Sequence, residues 1–200
     1  IAGSEWQKRW VADICLNGGI MGFALTESGA GSNAVAMSAT ARREGDEYIL
    51  NGGKTFITNG DCADVIATFA VTDKEKGAKG ITAFLLPKDT PGFTVGKPED
   101  KMGIRCVHTN SLFFDEVRLP AKYRLGEEGE GFKIAMKILD DSRPCTGASA
   151  VGIAQAALDE AVAYSKTREV FGRPICDNQA IAFMLADMEI QVQAARQLVW

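Results

Sequence analysis

The amino-acid sequence predicts an α+β protein in which an antiparallel, sandwich- or barrel-like β part is followed by part of an α-helical bundle. Three observations support this class. Residues 1–19 have the spacing of one short helix, and residues 20–126 contain short apolar segments separated by turns. Residues 127–200 instead repeat their apolar positions with the 3.6-residue period of helices. Strands followed by helices, without alternation, are typical of segregated α+β chains.

The first region predicts a short amphipathic helix that ends at Asn17-Gly18-Gly19, since Asn and Gly in succession favour a turn. The apolar positions of this helix are Trp6, Trp10, Val11 and Ile14.

The middle region predicts several short strands. Residues 35–41 alternate in the two-residue period of a half-buried strand, and Asn51-Gly52 is the strongest hairpin signal in the chain. A charged turn, Asp73–Lys79, separates two of the apolar segments. The candidate strands are Ile20–Leu25, Val35–Ala41, Tyr48–Leu50, Thr55–Thr58, Val65–Val71, Ile81–Leu86, Phe93–Val95 and Ser111–Phe114.

The last region predicts three helices. The first covers Phe132–Leu139, and Asp141–Pro144 predicts a stop and restart, because proline is tolerated in the first turn of a helix. The second extends to about Lys166, and the third begins near Asp177, a good N-cap. The apolar face of the second is Val151, Ala154, Leu158, Ala161 and Val162; that of the third is Ile181, Met184, Leu185, Met188, Val192 and Ala195.

Composition argues against several classes of protein. The net charge is −4, with 22 Lys and Arg against 26 Asp and Glu, which disfavours nucleic-acid binding. No apolar run approaches the ~20 residues of a membrane span. The five cysteines are scattered and the single histidine is His108, so we expect no metal site and a reducing compartment. Because the chain starts at Ile1 and ends in a helical pattern at Trp200, we expect a piece of a longer protein.

The first candidate site is the glycine-rich segment Leu25–Asn33, which directly follows a strand. Backbone N–H groups there can cradle a pyrophosphate, and the hydroxyls of Thr26 and Ser32 add donors. The loose dinucleotide-binding pattern is rejected, because it requires a helix where residues 35–41 alternate like a strand. An ordinary glycine-rich turn is the alternative, and this stretch taken alone favours it.

Three further candidates are individually weak. Phe56 and Thr58 lie two apart, on one side of a strand, which suits a flat heteroaromatic ligand; the alternative is a core Phe beside a turn. Arg143, at the predicted helix restart, suits an anion, or is simply solvated. The segment from Arg168 to Gln179 indicates only a basic linker between helices.

Taken together, the order and spacing of these motifs resemble the acyl-CoA dehydrogenase family of flavoenzymes from about Gly3 to Trp200. Two positions depart from the family pattern: Asn33 stands where Asp is usual, and Phe56 where many members have Trp. The matching segments are Ala24–Asn33, Lys54–Gly60, Gly129–Phe132, Ser142–Pro144, Arg168–Gly172 and Gln179–Ile181.

The resemblance implies FAD as cofactor and a division into three domains. Residues 1–19 would be the tail of an N-terminal helical domain, 20–126 the flavin- and acyl-CoA-binding middle domain, and 127–200 the first helices of a C-terminal domain. The implied FAD-binding residues of the middle domain are Phe23, Leu25, Thr26, Gly31, Ser32, Phe56, Ile57 and Thr58. Arg168, Phe171 and Gln179 would reach FAD in a neighbouring subunit of a homodimer or homotetramer. Ser32, Leu139, Asp140 and Arg143 would contact acyl-CoA.

The implied reaction is the oxidation of an acyl-CoA to the trans-2-enoyl-CoA in fatty acid metabolism, with electrons passing to electron-transfer flavoprotein. An acyl-CoA oxidase that uses oxygen, or a non-catalytic flavin- or CoA-binding scaffold, remains the alternative. The general-base Glu is expected beyond Trp200. A minority of members place it where this chain has Ser142, which cannot act as a carboxylate base, so we expect this piece alone to be inactive. The resemblance fits either the bacterial cytoplasm or the mitochondrial matrix.

Overall fold

The structure is a computed structural model that describes residues 2–200. It divides into two compact units, one extending to Met136 and the other covering Lys137–Trp200. The three-domain division at residues 19/20 and 126/127 stays a prediction about the whole protein. The α+β class is confirmed, since a sheet occupies the first unit and helices dominate the second.

The first unit opens with helix α1, Glu5–Leu16, as the sequence predicts. Ser4 caps it by accepting a hydrogen bond from the backbone N–H of Gln7. The Gln7 side chain is buried and donates to the carbonyls of Lys122 and Arg124 at 2.9 and 2.8 Å. The Gln7 side chain also accepts from the backbone N–H of Ser4 at 2.9 Å, so one side chain completes the cap and fixes the helix to the strand-bearing part of the unit.

Eight strands form one sheet in the order β6-β7-β3-β2-β4-β5-β8, with β1 pairing with β4. Pairing is antiparallel except that β1 and β2 each run parallel to β4. Tyr48 and Phe84 are buried in the core with their rings edge to face, 5.0 Å apart. The strands are β1 Met21–Ala24, β2 Thr40–Glu44, β3 Glu47–Thr58, β4 Val65–Val71, β5 Ile81–Pro87, β6 Phe93–Val95, β7 Thr109–Pro120 and β8 Arg124–Leu125.

The strand predicted at residues 35–41 is wrong. The structure has a short 3₁₀ turn at Ala34–Ala36, and β2 begins only at Thr40. The reason is a competing acceptor: the carboxylate of Glu27 takes the backbone N–H groups of Ser38 and Ala39 at 2.6 and 3.1 Å. Backbone N–H groups that donate to a side chain cannot also donate to a neighbouring strand.

The hairpin predicted at Asn51-Gly52 is also wrong, because β3 continues through both residues. The pairing of β3 with β7 continues past Asn51-Gly52 because β7 carries a bulge there, in which Glu116 has a φ of 49°. The Asn51 side chain donates to the Glu116 carboxylate at 2.6 Å and accepts from its N–H at 2.9 Å. The actual hairpin joins β2 to β3 through Gly45-Asp46.

Helix α2 runs without a break over Gly131–Thr167, so the stop and restart predicted at Asp141–Pro144 is wrong. Pro144 cannot donate to the carbonyl of Asp140, four residues earlier. All residues from 140 to 146 are exposed, so water can reach the freed carbonyl. Ser142 also donates its hydroxyl to the carbonyl of Leu139 at 3.1 Å.

A short hairpin follows α2, made of β9, Glu169–Val170, and β10, Arg173–Pro174. Helix α3 covers Gln179–Val199. Its N-cap is Asn178 and not the predicted Asp177. In residues 2–200 we find neither a helix with the length and apolar character needed to cross a membrane nor a metal-binding cluster.

The Gln7 contacts lead to a first prediction. The variant Gln7→Ala should lower the free energy of unfolding of the first unit by about 2 kcal/mol, because two buried carbonyls lose their donor. Urea unfolding followed by the fluorescence of Trp6 and Trp10 measures this. Lys8→Ala, which removes only an exposed ion pair with Glu5, is the control and should have little effect. Equal effects of the two variants would contradict the anchoring role of Gln7.

Candidate functional site

The structure brings the first two sequence candidates together. The segment Leu25–Glu27 lies against β3, and the N–H of Thr55 donates to the carbonyl of Thr26 at 2.9 Å. Next to this bond, the Lys54 ammonium donates to the Glu27 carboxylate at 2.8 Å and to the carbonyl of Leu25 at 3.3 Å. Three consecutive residues of one segment are therefore bound to two consecutive residues of the other.

Glu27 and Lys54 form a buried ion pair, with side chains 5% and 0% exposed. The carboxylate also accepts from the N–H and hydroxyl of Ser38 and from the N–H of Ala39. Burial would raise the pKa of Glu27, but the hydrogen bonds from Lys54 and Ser38 outweigh it and lower this pKa below 4.5. Burial lowers the pKa of Lys54 against the opposing effect of Glu27.

A bulge re-aims β3 immediately after Lys54. Lys54 pairs with Leu112 and Ile57 with Asn110, so β3 carries one extra residue between these two pairs. Phe56 lies in this bulge with a φ of 56° and is 65% exposed. A bulky residue at positive φ is rare and strained. Such bulges occur preferentially beside functional sites, where they redirect side chains.

Phe56 and Thr58 are both exposed, whereas Ile57 between them is buried. The two side chains predicted to share a face are thus the two that reach solvent here. We call Thr26, Phe56 and Thr58 the ledge. The hydroxyls of Thr26 and Thr58 make no hydrogen bond within residues 2–200, whereas those of Thr55 and Ser111 bond to each other. The ledge therefore carries two uncommitted donors beside an exposed aromatic ring.

The glycine-rich segment beyond Glu27 is a tight turn. Glu27 and Ala30 exchange two backbone hydrogen bonds of 3.1 Å. Neither Gly29 nor Gly31 has a positive φ, and an added Cβ at either would meet nothing within 4 Å. Nothing in the described residues thus requires glycine at these two positions. Close approach of a ligand to the backbone would require it.

The remaining predicted residues of the first unit differ in exposure. Ser32 is exposed, and its hydroxyl makes no hydrogen bond within residues 2–200. Phe23 is half-buried, with its ring 5.2 Å from that of Phe69. Leu25 and Ile57 are buried, so their side chains are not available to a ligand at the surface.

In the second unit, Arg143 does not lie at a helix N-terminus, as the predicted restart required. It lies within α2, where it forms an exposed ion pair with Asp140 at 2.7 Å. Leu139 is half-buried on the same helix. The free N–H groups expected beside Arg143 are therefore not present.

The segment predicted as a basic linker is an ordered hairpin. Phe171 and Gly172 form its two-residue turn with φ values of 54° and 76°. This is the backbone of the tight turns that match strand twist, in which Asn and Gly are usual. Phe171 is fully exposed at the tip. Arg168 and Gln179 flank the hairpin and are also exposed.

The comparisons with known proteins cover almost all of the chain. The family model of the acyl-CoA dehydrogenase middle domain matches residues 22–117, and that of the acyl-CoA dehydrogenase C-terminal domain matches residues 129–200. The short-chain specific acyl-CoA dehydrogenase of Megasphaera elsdenii is 52% identical over 99% of this chain and 52% of its own length. The mitochondrial short-chain specific enzyme of Rattus norvegicus is 49% identical over 99% of the chain and 48% of its own.

Among solved structures, butyryl-CoA dehydrogenase from Megasphaera elsdenii matches with a TM-score of 0.94 at 51% identity. This match covers 98% of the chain and 52% of the solved one. The chain thus spans about half the length of the curated relatives it matches.

The buried pair leads to a second prediction. Glu27→Gln should lower the free energy of unfolding at pH 7 by about 3–5 kcal/mol, because Lys54 is left as an uncompensated buried charge. Urea unfolding of the variant and the wild type measures this cost. The control is Lys88→Met, which removes a more exposed pair with Asp64 and should cost far less.

The cost should also depend on pH. The folded-state pKa of Glu27 lies below the ordinary value of 4.5, so the native state binds fewer protons than the unfolded state. The stability that Glu27 contributes is thus complete above pH 4.5 and is lost as the pH falls through the folded-state pKa. The difference in unfolding free energy between wild type and Glu27→Gln should therefore narrow in acid. A constant difference would contradict the paired carboxylate.

Proposed function

This chain belongs to the acyl-CoA dehydrogenase family, and we propose that the whole protein oxidises a short-chain acyl-CoA to its trans-2-enoyl-CoA with FAD. The observation that carries the proposal is the binding of Leu25–Glu27 to Lys54 and Thr55, directly before the bulge that exposes Phe56. The names of the relatives support short acyl chains, butyryl-CoA being the simplest choice.

The residues of the ledge fit a flavin. An isoalloxazine ring presents a flat apolar face and several edge acceptors, and the ledge offers an exposed ring and two free hydroxyls. The turn at Gly29 and Gly31 leaves room for a pyrophosphate to approach the backbone. The exposed Ser32 hydroxyl is available to the same group.

FAD held by these residues would supply the redox chemistry, namely an acceptor for the hydride lost from the substrate β-carbon. Thr58 and Thr26 would donate hydrogen bonds to the ring edge, with Thr58 facing the reactive N5 nitrogen, and Ser32 would donate to the pyrophosphate. Phe56 would cover one face of the ring and exclude water from it. The α-proton would be taken by a Glu outside this chain, since Ser142 has no carboxylate.

In the second unit, the hairpin tip fits a contact with another molecule. Phe171 has a strained positive φ, and its ring is fully exposed. No contact within its own unit offsets this strain. We assign Phe171, Arg168 and Gln179 to FAD held by a neighbouring subunit, hence a homodimer or homotetramer.

Leu139, Asp140 and Arg143 would contact acyl-CoA, and electron-transfer flavoprotein would accept the electrons. A bacterial cytoplasm or a mitochondrial matrix would suit these partners.

A third prediction tests the reaction in the full-length protein. It should purify with flavin absorption bands that bleach anaerobically when butyryl-CoA is added, and electron-transfer flavoprotein should restore them. The 200-residue chain alone should not oxidise butyryl-CoA, since it lacks the proposed base. Rapid peroxide formation in air would favour an oxidase instead. A protein with flavin bands that no acyl-CoA bleaches would be a scaffold, and one without flavin would refute the proposal.

A fourth prediction concerns the hairpin. Phe171→Asn should keep the turn, because Asn tolerates positive φ, and should not lower the melting temperature of the isolated 200-residue chain. In the full-length protein it should weaken FAD binding by about tenfold, since base–aromatic stacking is lost. Fluorescence titration of the apoprotein with FAD measures this. Val170→Asn, a substitution on a strand beside the turn, is the matched control, and equal losses in both variants would contradict the role of Phe171.

A further inference from the structure

We propose that Glu27 and Lys54 are positioning residues for the flavin, which hold the Thr26 segment in place on β3 and so keep the ledge in one geometry. This inference rests on the proposed FAD site and adds two residues that the sequence motifs left without a role. Neither side chain is exposed enough to touch a ligand itself. Their effect would pass through the residues they hold.

The contacts of Lys54 are all internal to this junction. Its ammonium group reaches the Glu27 carboxylate, the Leu25 carbonyl and the sulfur of Met37, at 2.8, 3.3 and 3.8 Å. The first two partners flank Thr26 on either side, and the Thr26 carbonyl itself is bound by Thr55. The segment is thus held at three successive residues, Leu25, Thr26 and Glu27, which fixes the direction in which the Thr26 side chain leaves the backbone.

Glu27, the other member of the pair, also holds the residues at which the glycine-rich loop ends. Glu27 accepts from Ser38 and Ala39, the residues that lead into β2. The loop from Ser28 to Met37, which includes Ser32, therefore starts and ends at one carboxylate. A shift of Glu27 would move both ends of the proposed pyrophosphate cradle together with Thr26.

Stability alone does not account for an ion pair at this position. Removing two charges from water costs several kcal/mol per ion, and apolar residues of similar volume are often as stable or more stable. The pair does supply direction, since hydrogen bonds between charged groups fix geometry more strictly than apolar contacts do. Lys54 is also the last residue of β3 in register before the bulge that presents Phe56. The pair therefore acts where the position of the ledge is determined.

The test replaces both charges in the full-length holoprotein with apolar side chains, as Glu27→Leu with Lys54→Met. The apoprotein of the double variant should melt at a lower temperature, because the N–H of Ala39 and the carbonyl of Leu25 lose their partners, so FAD binding is measured well below that temperature. The dissociation constant for FAD should rise about tenfold or more, and the visible circular dichroism of bound flavin should change, because a loosened first contact layer loses its geometry. Lys88→Met is the matched control and should change neither FAD measurement.

Ser38→Ala provides a second, milder variant in case the double variant does not fold. Ser38 is exposed, and its hydroxyl bonds to Glu27 at 2.7 Å without entering the ion pair. Its loss should raise the dissociation constant for FAD about threefold, as expected for one hydrogen bond.

Wild-type affinity and wild-type dichroism in a folded double variant would overturn the positioning role, and so would wild-type values in Ser38→Ala if the double variant does not fold. If the wild-type protein itself binds no FAD, the proposed function fails and this inference fails with it. That result is seen in the wild type alone, so the two failures are distinguishable.

Discussion

The described site depends on one constraint, the buried bond between a strand lysine and a loop carboxylate. Lys54 lies within β3 and Glu27 in the turn after β1, and both side chains are almost fully buried. Because an unpaired charge at either position would be costly, the turn has to close on the strand. Backbone hydrogen bonding then follows, as Thr55 meets Thr26. The local geometry of the ledge is a consequence of this closure.

The same closure explains the irregular shape of β3 and β2. Glu27 holds the N–H groups of Ser38 and Ala39, so β2 cannot start before Thr40. Across β3, the ladder with β7 has one extra residue on each strand, at Glu116 and at Phe56. The two bulges displace the register in opposite directions and so compensate. The strand keeps its pairing beyond the ledge while one aromatic residue turns outward.

Local patterns predicted the regular elements well and the irregular ones poorly. Val65–Val71 and Ile81–Leu86 are predicted as strands from their apolar residues and the charged turn between them, and the structure confirms both, with most side chains on both faces buried. Residues 35–41, Asn51-Gly52 and Pro144 failed for a common reason: a tertiary or side-chain interaction outweighed the local preference. The sequence could not show that Glu27 would capture the N–H groups of a predicted strand.

Site residues follow the same division. The ledge residues Phe56 and Thr58 could be paired from their spacing alone, whereas the contact between Thr26 and Thr55, the residue before Phe56, required the tertiary structure. Glu27 and Lys54 lie within the segments Ala24–Asn33 and Lys54–Gly60, but the motifs assign a role to neither. A signal was available, since a lysine within a strand that faces the core must have an acidic partner. Four acidic residues precede Lys54 within 30 positions, so spacing could not identify which one is its partner.

Two bulky aromatic residues have a strained backbone that the contacts within the chain do not offset. Phe56 and Phe171 both adopt positive φ, which costs of order 1–3 kcal/mol each, and both leave most of the ring in water. A folded chain gains nothing from this combination by itself. Glycine or asparagine would form either backbone with less strain, so the ring is the part that matters. Each ring therefore lacks a covering surface within its own unit, and the FAD of the proposed function would provide a flat one.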